Sequence, residues 1–118
     1  MLRAKTMLKK NFVVDIDGTL CDTIFGVSYE DRPPIQEMID KVNELYYNGS
    51  RIILLTARGM RTYSGNIDEI NLHVRPVLEA WLNKNGVKYH ELVMGKPWLE
   101  NVYYVDDRAM LLSEFLKQ

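Results

Sequence analysis

The chain alternates short apolar runs with longer amphipathic stretches. Residues 12–16, FVVDI, and 51–56, RIILLT, are dense in β-branched and aliphatic residues. Both read as strands buried on two faces. Residues 89–93 predict a short third strand, and VYYV at 102–105 predicts a fourth. Between the first two runs, Pro33-Pro34 opens a stripe of Ile35, Met38, Ile39, Val42, Leu45 and Tyr46, which Asn48-Gly49 closes. Steps of three and four predict a helix there. A second helical stripe runs through Ile67, Ile70, Val74, Val77, Leu78, Trp81 and Leu82 to Asn85-Gly86. Pro76 lies inside it and predicts a kink or two separate pieces. Residues 109–116 predict a last short helix, and 18–32 and 57–66 read as loops. Strands alternating with helices imply an α/β fold: a three-layer, Rossmann-like parallel sheet flanked by helices. Residues 11–118 form one domain in this reading, after a loose lead-in at 1–10.

Composition narrows the class more than the activity. At 118 residues, 47% apolar and 26% charged, the chain fits one ordinary globular domain. Its net charge of −1 carries no electrostatic footprint for nucleic acid or an anionic membrane. No apolar run approaches the roughly 20 residues of a membrane span. The single cysteine, Cys21, excludes an internal disulfide and a multi-cysteine zinc site, and it suits a reducing cytoplasm. It reads as a small packing residue. His73 and His90 have no ligand partner at metal spacing and read as surface or packing residues. Trp81 reads as core, and Trp98 as core or rim.

The chemistry is expected at one edge of the sheet, because parallel α/β sheets bind ligands beyond the carboxyl ends of their strands. The first strand runs into Asp15-Ile16-Asp17, whose acids sit at i and i+2 and so share a face. Gly18 then allows a sharp turn. The second strand ends at Thr56 and the fourth at Asp106-Asp107, with Lys96 in the loop before it. Four carboxylates brought together would repel one another and call for a cation. An all-oxygen set points to a hard ion, most simply Mg²⁺ working with a substrate phosphate.

These residues resemble the haloacid dehalogenase-like superfamily of phosphatases. DIDGT is similar to its first motif, Thr56 in LLTAR to the second, Lys96 in GKP to the third, and Asp106-Asp107 in VYYVDDRA to the fourth. The four follow the family's order over residues 12–108. The stretches TARG, KYHEL, MGKP and DDRA are further similar to small phosphatases of bacterial capsule and surface-polysaccharide biosynthesis. The resemblance implies that Asp15 attacks phosphorus and forms an aspartyl-phosphate. Asp17 would act as general acid and then general base. It also implies that Mg²⁺ binds Asp15, the main-chain carbonyl of Asp17, and Asp106, with Asp107 acting through water or on Lys96. Thr56, Lys96 and the amides after Asp15 would hold the phosphoryl oxygens. Only 39 positions separate Asp17 from Thr56, and 40 separate Thr56 from Lys96. No room remains for a cap domain, so the chain resembles the capless class. Its open site would admit a large substrate or be roofed by a neighbouring subunit of a homo-oligomer. Arg58 and Arg61, with Phe25, Tyr29 and Tyr63, are candidate substrate contacts.

Plainer roles stand beside these. Asp15 and Asp17 could form a turn, Asp106-Asp107 could cap the last helix, and Arg58 and Arg61 could be solvated loop charges. The leading functional expectation is an Mg²⁺-dependent phosphomonoester hydrolase acting on a small phosphorylated metabolite, such as a sugar phosphate. One alternative is a receiver-like phosphoaspartate signalling module, whose acid pair would precede the acceptor Asp; here DIDGT comes first. The other is a phosphatase of nucleic-acid ends or phosphoprotein.

Overall fold

The computed structural model describes residues 9–118. Residues 1–8 of the expected lead-in lie outside the described residues, and Lys9 and Lys10 are exposed. Strand β1 spans Asn11–Asp15, β2 Arg51–Thr56 and β3 Glu91–Met94. They pair in parallel in the order β1-β2-β3, with Val14 beside Leu54 and Leu54 beside Leu92. Helix α1 covers Gln36–Tyr47, and its expected stripe of Met38, Ile39, Val42 and Leu45 is buried. The Pro76 break resolves into two helices: α2 is Ile67–His73, and α3 is Arg75–Lys84 with the proline in its first turn. A one-turn 3₁₀ helix at Tyr29–Asp31 interrupts the first long loop, and α4 is reduced to Leu112–Phe115. The chain is thus an α/β protein with a Rossmann-like three-stranded parallel sheet. Among the described residues no helix is long and apolar enough to cross a membrane.

Two sequence expectations are corrected. Among the described residues the sheet has helices on one face, not two. The strands advance in one direction, and right-handed crossovers then put every connecting helix on the same side. Phe12, Val14, Ile52, Leu54, Leu92 and Met94 share that side and are buried with Trp81 and Leu82. On the other side Ile53, Leu55 and Val93 are half-buried and Val13 is 62% exposed. A second helical layer would need the chain to double back beyond β1, and it does not. The second correction is VYYV at 102–105, which forms no strand: Tyr103 and Val105 are 86% and 96% exposed. Among the described residues the outer edge of β1 is therefore unpaired in the sheet.

The carboxyl ends of all three strands emerge on one rim. After β1 the chain turns at Gly18, whose φ of +85° suits a residue without a side chain. After β3 the amides of Gly95 and Lys96 both donate to the carbonyl of Thr56, which ties the lysine loop to the end of β2.

Candidate active site

The rim holds a solvent-open cleft of about 420 Å³, lined by Asp15, Asp17, Tyr29, Arg32, Arg58, Arg61, Lys96, Trp98 and Tyr104 among others. Asp15 ends β1 on the uncovered side of the sheet. Its Oδ1 is 3.4 Å from Lys96 Nζ, and its Oδ2 is 3.4 Å from the Thr19 hydroxyl, which donates to it. Lys96 reaches across from the end of β3 and also lies 4.2 Å from the centre of the Tyr104 ring. The arrangement leaves Asp15 half-buried, with a cation beside it and open space in front.

Asp17 is held quite differently. Arg58 donates to both of its oxygens, from NH2 to Oδ1 at 2.8 Å and from Nε to Oδ2 at 3.3 Å. Arg32 NH1 approaches Oδ1 at 3.4 Å, and the Cys21 thiol donates to the same oxygen at 3.4 Å. The Arg58 side chain is 1% exposed and lies under the Tyr29 ring, 4.1 Å from its centre. Among the described residues its NH1 is buried without a hydrogen-bond partner. A two-pronged guanidinium–carboxylate contact fixes orientation as well as charge.

The structure thus brings together Asp15, Asp17, Lys96, Arg58 and Arg61. Arg61 sits at the rim, 79% exposed and 3.7 Å from Glu100. Thr56 reaches the same level but lies beneath the cleft: it is fully buried and its hydroxyl oxygen accepts from the Arg58 amide. The expectation that it faces phosphate is corrected, since its alternate position on β2 points it to the helical side with Leu54. Asp106 and Asp107 are corrected as well. Both are exposed, and Asp106 Oδ1 only receives the Arg108 amide. Among the described residues no group of three or more His, Cys, Asp or Glu side chains is placed to hold a metal. Asp15 and Asp17, facing one lysine and two arginines, do not fit Mg²⁺ by themselves.

Of the proposed substrate contacts, Tyr29 lines the cleft, Phe25 projects fully into solvent, and Tyr63 packs against the core and stacks on His73. Arg32 was not anticipated, and nothing in its spacing signals it. Trp81 is core, its indole N–H donating to the Arg32 carbonyl, so it also helps seat that arginine. His90 Nδ1 accepts from the Ile52 amide and is structural.

Cys21 is buried, and its thiol is pushed up to about 11, first by burial and then by the adjacent Asp17 charge. Thiolate, the reactive form, is then scarce at neutral pH. Iodoacetamide at pH 8 is expected to leave the native protein unmodified and to alkylate it fully in denaturant, as read by intact mass. Rapid native alkylation would contradict the placement of this residue.

The fold and rim define a small parallel α/β domain with an acid–lysine cleft at the carboxyl end of its sheet. A protein from Vibrio cholerae, with a crystal structure determined as a structural-genomics target, is similar to this chain at 40% identity. The TM-score is 0.86, over 92% of this chain and 89% of that one. The chain belongs to the same family as the Vibrio cholerae protein. No family model matches the chain, and no curated protein sequence matches it.

Proposed function

We propose that the protein is a phosphomonoester hydrolase of the haloacid dehalogenase-like type, without a cap domain, working through an aspartyl-phosphate. The observation that carries this reading is Asp15 at the end of β1, open to the cleft, with Lys96 3.4 Å away and Asp17 on the same rim. A carboxylate approaching a phosphate dianion meets like-charge repulsion. A lysine touching the carboxylate and standing at the cleft offsets it and favours the charge spread over the transferring phosphoryl oxygens.

Two displacements follow from this placement. In the first, an Asp15 oxygen bonds to phosphorus while the bond to the leaving oxygen breaks, and Asp17 supplies the proton that turns the leaving alkoxide into an alcohol. In the second, Asp17 takes a proton from water as the water oxygen bonds to phosphorus. The Asp15–phosphorus bond then breaks, giving inorganic phosphate and the original carboxylate. Arg58 holds Asp17 on both oxygens in the resting arrangement, so the fork must loosen at one oxygen, and that oxygen must take a proton from solvent water, before the first displacement. Arg61, Trp98 and Tyr29 surround the mouth, where the alcohol portion of a small metabolite such as a sugar phosphate would sit. Mg²⁺ is the cofactor that the resemblance implies. Capsule or surface-polysaccharide synthesis is the biological setting that the narrower resemblance supports.

A phosphate-release screen tests the reading, run across sugar phosphates, nucleotides and end-phosphorylated oligonucleotides with Mg²⁺ or with chelator. Multiple turnover on at least one small monoester is expected. A single stoichiometric phosphorylation without turnover would favour the receiver-like alternative, and turnover confined to oligonucleotide ends would replace the substrate class.

A further inference from the structure

The unpaired edge of β1 and the exposed segment 102–105 are complementary, and they lie in one chain. The edge carries Phe12, Val13 and Val14, and the segment carries Val102, Tyr103, Tyr104 and Val105. An exposed β-branched and aromatic segment and an open strand edge are each a template for pairing. The arm that bears this segment touches its own chain at two levels. At one the Tyr104 hydroxyl, within the segment itself, donates to the Pro97 carbonyl beside the cleft, a contact that pairing of the segment releases. At the other, Phe115 packs edge-on against Phe12, and Lys10 Nζ donates to Gln118 Oε1 at the amino end of β1. The arm therefore leaves at the carboxyl end of its own β1 and returns at the amino end.

That direction decides what the edge can accept. A parallel strand against its own β1 would require the chain to return to the amino end before residue 102. Only residues 95–101 connect β3 to the segment, whereas a parallel crossover needs about a dozen residues or more. An antiparallel strand against its own β1 would run on from Tyr104, which sits at the carboxyl end of β1 beside Lys96. It would lay Asp106, Asp107 and Arg108 along Val14 and Val13, charge against an apolar edge. A second copy related by a two-fold axis removes both difficulties. Its β1 runs the opposite way, so the same arm lies parallel to it and VYYV meets the apolar edge.

We propose that two copies of this chain exchange residues 102–105, each segment adding a parallel strand to the open edge of the other copy's β1. The exchange carries Asp106 and Asp107 to the carboxyl end of that strand, beside Asp15 of the other copy. The cleft, which has two carboxylates in one chain, gains two more. The exchange itself stands independently of the phosphatase reading.

The test uses the full chain with Val13→Cys and Tyr103→Cys together, a pair that lies side by side in the exchanged register. Both positions are exposed, so neither substitution removes a buried contact, and Cys21 is buried. Sedimentation equilibrium of the unmodified protein is expected to give twice the mass of one chain. Mild oxidation of the double variant is expected to give a covalent dimer on a non-reducing gel, reversed by thiol and absent from the unmodified protein. A chain of single mass in sedimentation would overturn the proposal. So would a disulfide confined to one chain, or a dimer in which this pair stays reduced. None of these readouts involves phosphate release, so the exchange and the phosphatase reading fail separately.

Discussion

Asp15→Asn is expected to abolish phosphate release while leaving the fold intact. The amide keeps the size of the side chain and can still accept from Thr19, but it is a far weaker nucleophile toward phosphorus. Loss of a covalent nucleophile costs on the order of 10⁴-fold or more in kcat. The substitution also removes the ion pair with Lys96. That pair is 3.4 Å long between side chains 19% and 35% exposed, and its contribution to stability is within about 1 kcal/mol. The discriminating measurement is a pair of numbers from one preparation: turnover on the best substrate of the screen, and the urea midpoint. Turnover retained within about tenfold would remove Asp15 from the reaction, since general electrostatic effects alone span that range.

Asp17→Asn should behave in the opposite way for stability. Two positions along the chain, the same chemical change strikes the counter-ion of a buried cation. Arg58 cannot shed its charge, its side chain is 1% exposed, and Asp17 meets it on both oxygens. Removing one member of a buried pair costs about 3–5 kcal/mol. The low end, about 3 kcal/mol, is expected because Asp17 keeps 26% of its side-chain surface in water. For a domain of this size that corresponds to a fall in Tm of roughly 10 °C. Activity should fall as well, by about 10² to 10⁴-fold, the usual range for a general acid–base group. Adding Arg58→Met to Asp17→Asn should recover part of the stability and none of the activity, because it removes the buried charge that Asp17→Asn leaves without a counter-ion. Equal urea midpoints for Asp15→Asn and Asp17→Asn at pH 7 would show that the Arg58 contact does not hold the fold.

The contrast between these two acids explains what was legible in the sequence. The run FVVDIDG marks a strand ending in two carboxylates, and both do reach the cleft. Lys96 could be placed there from its position after the third strand. Thr56 could be placed at the strand end but not on a face: the alternation of β2 turns it under the floor, where it serves the Arg58 amide. Arg58 read as a loop charge or a substrate contact; it lines the cleft and is also the buried partner of Asp17, 41 residues away. Arg32 carried no local signal at all, because its role depends on where the Trp81 indole and the Tyr29 ring meet it.

Residues 102–107 show the limit most plainly. VYYV has the composition of a strand, and composition reports a preference for a pleated, half-buried surface. It does not say whether the chain can deliver the segment to such a surface. Local pattern was enough to set the α/β alternation, the helix-breaking effect of Pro76, and the placing of Asp15 and Asp17 at a strand end with Lys96 in a loop at the same edge. These follow from residue periodicity and local backbone chemistry. It took the tertiary structure to decide that, among the described residues, one face of the sheet carries no helical layer, that Arg58 and Arg32 clamp Asp17, and that Asp106 and Asp107 stand away from the cleft of their own chain. Those outcomes depend on crossover direction, connection length and contacts between distant residues, which no local pattern encodes.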